Sequence, residues 1–212
     1  MKNLCRLLAV ALFAFAAETV KAGMKPLTLA DPFVLSHGGK YYAYGTWSGN
    51  GIAVAVSGDL HTWKLGGGRA AEGLALHKGD SYGEHSFWAP EVYERDGKFI
   101  MFYSAQEHVC AAVADSPLGP FRQAEKKPLL ERKGIDNSLF VDAEGKPWMV
   151  YVHFDRGNTI WLAGLENDWL HVKPGSERML FRTYIADLAV RGTSAAPELF
   201  VGGELIACMI GE

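Results

Sequence analysis

The 212-residue sequence has only three cysteines, no run of like charges and no apolar stretch of eighteen or more residues. Three thiols make neither a disulfide framework nor a zinc ribbon, so the fold must rest on a packed core. A net charge of -3 and a pI near 6.2 leave no basic stripe, which argues against a nucleic-acid partner. No stretch is long enough for a membrane-spanning helix. Helical apolar periods with capping residues are also missing, which turns attention to strands. What is plentiful is glycine, with 24 residues, and aromatics at 12%, in a chain that is 49% hydrophobic. That composition is globular, and the length suits one domain or part of a larger one.

The N-terminus reads as an address. Lys2 and Arg6 precede an apolar run from Leu7 to Ala17, and Val20-Lys21-Ala22 places small residues where a signal peptidase reads them. Residues 1–22 therefore read as a secretory signal peptide, the domain as 23–212, and the destination as secreted or periplasmic. Cys5 leaves with the signal, which keeps only Cys110 and Cys208. No membrane association is expected after cleavage.

The rest of the chain repeats. Four segments align on a turn glycine: Asp31-Pro32-Phe33-Val34 before Gly39, Ala89-Pro90-Glu91-Val92 before Gly97, Asp136-Asn137-Ser138-Leu139-Phe140 before Gly145, and Ala196-Pro197-Glu198-Leu199-Phe200 before Gly203. The same offset after the first three glycines lands on an aromatic each time: Trp63, Phe121 and Trp169. The runs between turn and aromatic, such as Phe99-Ile100-Met101-Phe102-Tyr103, are β-branched or aromatic and read as strands. A repeat of about 50 residues holding several strands predicts an all-β propeller. Only about three and a half blades fit into residues 23–212, so the chain is expected to stop within a fourth.

These residues carry a family resemblance. Ala30-Asp31-Pro32-Phe33-Val34, Tyr41-Tyr42-Ala43-Tyr44-Gly45-Thr46, Phe87-Trp88-Ala89-Pro90-Glu91-Val92, Asp115-Ser116-Pro117-Leu118-Gly119-Pro120-Phe121 and Ile135-Asp136-Asn137-Ser138 occur in an order that resembles glycoside hydrolase family 43. The resemblance implies a five-bladed propeller that removes arabinose or xylose from hemicellulose or pectin with inversion. It implies Asp31 as general base and Asp136 as the group that tunes the pKa of the acid. Trp88 is implied as a wall of the sugar pocket, and Phe87, Trp47 and Asn137 are the further substrate-binding candidates. An oligo- or polysaccharide is the expected partner. No cofactor is expected, although some members of the family hold calcium at the axis.

The family's general acid is a glutamate opening the fourth blade. Its place here falls on Ser194 or Ala195, neither acidic. A non-catalytic carbohydrate-binding remnant and an inactive truncated product are therefore the alternatives to an active hydrolase. Gly79-Asp80-Ser81-Tyr82-Gly83 matches a nucleophile elbow in letters, but that motif needs a helix after the serine. Here Phe87-Trp88-Ala89-Pro90 begins a strand instead.

Overall fold

The computed structural model describes residues 27–182 and two short strands further on. The segment read as a signal peptide, and Ser194 and Ala195, lie outside the described residues. The fold is all-β: among the described residues the only helical pieces are two 3-10 turns, Ala71–Gly73 and Lys78–Asp80.

Three antiparallel sheets follow one another along the chain, each a meander of sequential strands. Blade one holds β1 (Ala30–His37), β2 (Lys40–Ser48), β3 (Gly51–Ser57) and β4 (Lys64–Leu65), with β5 (Leu76–His77) also pairing with β3. Blade two holds β6 (Trp88–Arg95), β7 (Lys98–Ala105) and β8 (His108–Ala114), edged by a bridge between Val113 and Arg122. Blade three holds β9 (Ile135–Val141), β10 (Pro147–Phe154), β11 (Asn158–Gly164) and β12 (Arg178–Arg182). A hairpin of β13 (Glu198–Val201) and β14 (Glu204–Ala207) begins a fourth unit. Three blades and part of another is the count that the glycine spacing predicts.

The turn glycines have a backbone reason at the first hairpins of blades one and two. Gly39 and Gly97 sit at φ 73° and 74°, preceded by Gly38 at 57° and Asp96 at 50°. Two consecutive positive φ angles match the twist of a two-residue hairpin, and glycine enters that region without steric cost.

Packing follows from the two-residue period of a strand. On β7, Phe99, Met101 and Tyr103 pack into the core shared with blade one, while Ile100 and Phe102 pack into the core shared with blade three. A strand buried on both faces reads as a continuous apolar run, as Phe99-Ile100-Met101-Phe102-Tyr103 does. The far face of blade one is small (Ala43, Ala53, Ala55) and is closed by Leu27, Leu29, Trp63 and Leu74. Blade three instead leaves Phe140 and Phe154 more than half exposed.

The three aromatic markers all lie outside the inner hairpins, in different settings. Trp63 belongs to the cap of blade one, and Phe121 is fully buried at the rim of blade two. Trp169 meets Tyr93 edge-on at 6.3 Å, with the Arg95 guanidinium 4.6 Å from its ring centre. Phe121→Ala should cost about 3–5 kcal/mol in urea unfolding, whereas Phe140→Ser should stay within about 0.5 kcal/mol.

Candidate active site

Each inner strand opens with the same defect. Two of its residues face one residue of the neighbouring strand: Asp31 and Pro32 face Gly45, Ala89 and Pro90 face Tyr103, and Asp136 and Asn137 face Tyr151. This is a β-bulge, which bends the strand and redirects a side chain. The first bulge residue is left-handed in every blade, with φ of 49° at Asp31, 43° at Ala89 and 51° at Asp136. Such angles cost a non-glycine residue roughly 1–2 kcal/mol. At Gly45, opposite the first bulge, an added Cβ would lie 2.7 Å from Leu29 Cβ and 2.8 Å from the Ala30 carbonyl oxygen. Absence of a side chain there lets the bulged strand lie close.

Hydroxyls tie these bulges across blade boundaries. The Thr46 hydroxyl donates to Asp31 Oδ2 at 3.1 Å and accepts from the Ala89 amide at 3.2 Å. The Ser104 hydroxyl accepts from the Asp136 amide at 3.2 Å. Thr46 and Ser104 occupy the same register, each paired with the residue before a bulge, and Val152 holds that register in blade three. Strands β1 and β9 thus bring two carboxylates to one end of the molecule. Partial burial, and then the negative charge of Asp31, push the Asp136 carboxyl above its ordinary range. The two groups sense one another although 105 residues separate them in sequence.

The other candidates divide. Trp88 heads β6 and is half-buried, and Trp47, next to Thr46, is 51% exposed. Asn137 is buried at 3% exposure, with neither side-chain nitrogen nor oxygen hydrogen-bonded. Phe87 goes elsewhere: it is 1% exposed and stacked on Tyr103 at 6.1 Å inside the core between blades one and two. Its place beside Trp88 in sequence hides this, because neighbours entering a strand point in opposite directions. Thr46 and Ser104 were not singled out by the sequence reading. The available signal was their common position, seven residues after the turn glycines Gly39 and Gly97.

Ser81, the central residue of the elbow-like motif, is 2% exposed, and no helix follows it. Burial pushes the Cys110 thiol up to about 12, which keeps it protonated and unreactive. Among the described residues no cluster of three or more His, Cys, Asp or Glu side chains could hold a metal ion.

Bladed meanders that follow one another along the chain define a propeller-type fold, and the inner strands of blades one and three carry an aspartate at the same bulge position. Comparison with known proteins gives the particular family. The model of glycosyl hydrolases family 43 matches residues 24–198, and the chain belongs to that family. An endo-1,4-β-xylanase structure from Bacteroides thetaiotaomicron is 45% identical with a TM-score of 0.66, over 72% of this chain and 52% of that one. The endo-arabinase structure from the same organism is 30% identical at a TM-score of 0.63, over 78% and 60%. The extracellular exo-α-(1→5)-L-arabinofuranosidase ArbA of Cellvibrio japonicus is 24% identical over 66% of this chain and 45% of its own. The chain thus spans slightly more than half of these solved structures and less than half of that curated relative.

The coupling of the two carboxylates has measurable consequences. Replacing Asp31 by Asn removes a like charge, so the Asp136 titration midpoint should fall, as carboxyl-detected NMR would show. A raised carboxyl pKa means that the folded chain holds this proton more tightly than the unfolded one. Ionising Asp136 therefore costs stability, a cost absent below the ordinary carboxylate range and complete above the raised value. Asp136→Asn should accordingly raise Tm at neutral pH, with the gain fading as melts are recorded at more acidic pH.

Proposed function

We propose that the chain is a secreted glycoside hydrolase acting on hemicellulose or pectin side chains, at α-L-arabinofuranosyl or β-D-xylosyl linkages, with inversion. Residues 1–22 direct export in this reading, and 23–212 form the partial propeller domain. The observation that carries it is the pair of bulged, left-handed aspartates, Asp31 and Asp136, which open the inner strands of blades one and three and interact electrostatically. Family membership and extracellular relatives named for arabinan cleavage support it.

Inversion requires one carboxylate to activate water and a protonated acid about 6.5–9.5 Å away, across the sugar ring. Asp31 suits the first task. Its Oδ2 accepts from Thr46, and among the described residues no partner is recorded for Oδ1, which is left to take a proton from water. Asp136 is the neighbouring carboxylate whose charge would raise the pKa of the acid and keep it protonated. Trp88 and Trp47 offer ring faces against which the apolar side of a pyranose or furanose can stack. Asn137 would contribute its unpartnered amide to the same pocket after a local movement.

A second reading is a carbohydrate-binding remnant without catalysis, favoured by Ser194 and Ala195 where the family carries its acid. Loss of a general acid lowers rate by about 10²–10⁴-fold.

Release of nitrophenol from the α-L-arabinofuranoside and the β-D-xyloside by purified 23–212 tests both. Activity on either sugar that drops at least a hundredfold in Asp31→Asn is the expected result. A cooperatively melting chain that binds arabino- or xylo-oligosaccharides and releases nothing would replace the hydrolase with the remnant.

A further inference from the structure

We propose that Thr46 is the positioning residue of Asp31, a hydroxyl whose single proton is aimed at the carboxylate by a backbone amide of the next blade. A threonine hydroxyl has one proton and two lone pairs, and it turns to whatever orientation satisfies both. Here the Ala89 amide, 3.2 Å away, occupies a lone pair, and Asp31 Oδ2, 3.1 Å away, is an acceptor only. The proton therefore points to Oδ2. That fixes which carboxylate oxygen is engaged and turns the other, Oδ1, to the open side.

The rest of the geometry holds the relay in place. Thr46 is paired with Ala30, immediately before the bulge, so its hydroxyl stands beside Asp31 by register. Ala89 has left-handed backbone at φ 43°, which swings its N–H out of the β6 ladder and toward blade one. The strain at Ala89 thus has a use: the redirected amide finds its acceptor in Thr46. Ser104 accepts from the Asp136 amide in the same way one blade on. In that blade the residue before the amide acceptor's own bulge is followed by Ala89, not an aspartate, so Ser104 has no carboxylate of its own bulge to hold. Thr46 alone among the three equivalent positions joins an amide to an acid.

Asp136 of β9 is the ionisable group facing Asp31. Strand β2 supplies none at this end, and Glu91 of β6 is engaged by the Tyr93 hydroxyl and the Leu139 amide. The part of this inference that concerns catalysis rests on the hydrolase reading; the hydrogen-bonded relay does not.

The test uses the ¹⁵N-labelled 23–212 chain and its Thr46→Val, Thr46→Ser, Asp31→Asn and Asp136→Asn variants. On acid titration the Ala89 amide resonance should step as Asp31 takes up its proton. The step should vanish in Thr46→Val and Asp31→Asn, return in Thr46→Ser and persist in Asp136→Asn. Where the chain hydrolyses the nitrophenyl glycosides, Thr46→Val should lower kcat about ten- to hundredfold with KM within about twofold, and Thr46→Ser should recover most of it. An amide that does not respond in the parent chain, or whose step survives Asp31→Asn, overturns the relay. An unchanged kcat in Thr46→Val overturns the positioning role. An inactive parent whose Ala89 step still runs through Thr46 sinks the hydrolase reading and leaves the relay standing. Should Thr46→Val not fold, Thr46→Ala takes its place in both readouts.

Discussion

Everything at the site depends on a bulge that puts two residues opposite one at the head of each inner strand. A regular ladder would send Asp31 and Pro32, and likewise Asp136 and Asn137, to opposite faces of their sheets, as the two-residue period demands. The extra residue breaks that period locally and sets the first bulge residue left-handed, at φ near 50° in all three blades. The side chains it carries are Asp, Ala and Asp. Aspartate tolerates this region better than most residues because its short carboxylate can bond locally, and the Thr46 hydroxyl supplies such a bond at Asp31. Ala89 has no side-chain compensation, and its amide is the group that gains a partner instead.

Such strain persists only when the surroundings over-determine it. The surroundings here are sheets packed on both faces. Blade two is held from either side through the alternating residues of β7, so β6 cannot relax its bulge without disturbing two cores. Polar contacts close the same junctions: the Tyr44 hydroxyl donates to the Pro117 carbonyl at 2.6 Å, and Glu91 accepts from the Leu139 amide across to blade three at 3.1 Å. Blade one gains its rigidity differently, from a cap built on alanines small enough to admit Leu29 and Trp63. The strand β1 that carries Asp31 is itself largely exposed. Its position is therefore set by β2 and β6 beside it and by Phe33 and Leu35, which pack partly buried against the core shared with blade two.

Much of this was legible in the sequence, and the limits are physical. Spacing between Gly39, Gly97 and Gly145 carries the repeat because each of these turn positions has positive φ, a region that glycine enters without steric cost. Asp31 and Asp136 stood out because each opens a repeat. The bulge itself left no letter in the sequence, since aspartate, alanine and aspartate share no preference that would flag a common backbone angle. Phe87 is a substrate-binding candidate beside Trp88 in the sequence, yet it packs inside the core, stacked on Tyr103. Thr46 escaped notice for the opposite reason. A threonine in a strand is unremarkable by β-propensity, and its role emerges only when the register sets it between a carboxylate of one blade and an amide of the next.

The comparison of equivalent positions shows how a repeat becomes a site. Thr46, Ser104 and Val152 share one register; Asp31, Ala89 and Asp136 share another. Had each blade carried both an acid and a hydroxyl, three carboxylates would crowd one end and raise one another's pKa values by mutual repulsion. Alanine in the middle blade removes one of those charges while keeping the backbone that the bulge requires. Serine then serves only the amide of the following blade, and valine in blade three offers no hydroxyl at all. The asymmetry therefore comes from a handful of side chains on a backbone that repeats. Charge is confined to two of the three bulges, and the one hydroxyl among these positions that bonds both an amide and an acid stands beside the first of those carboxylates.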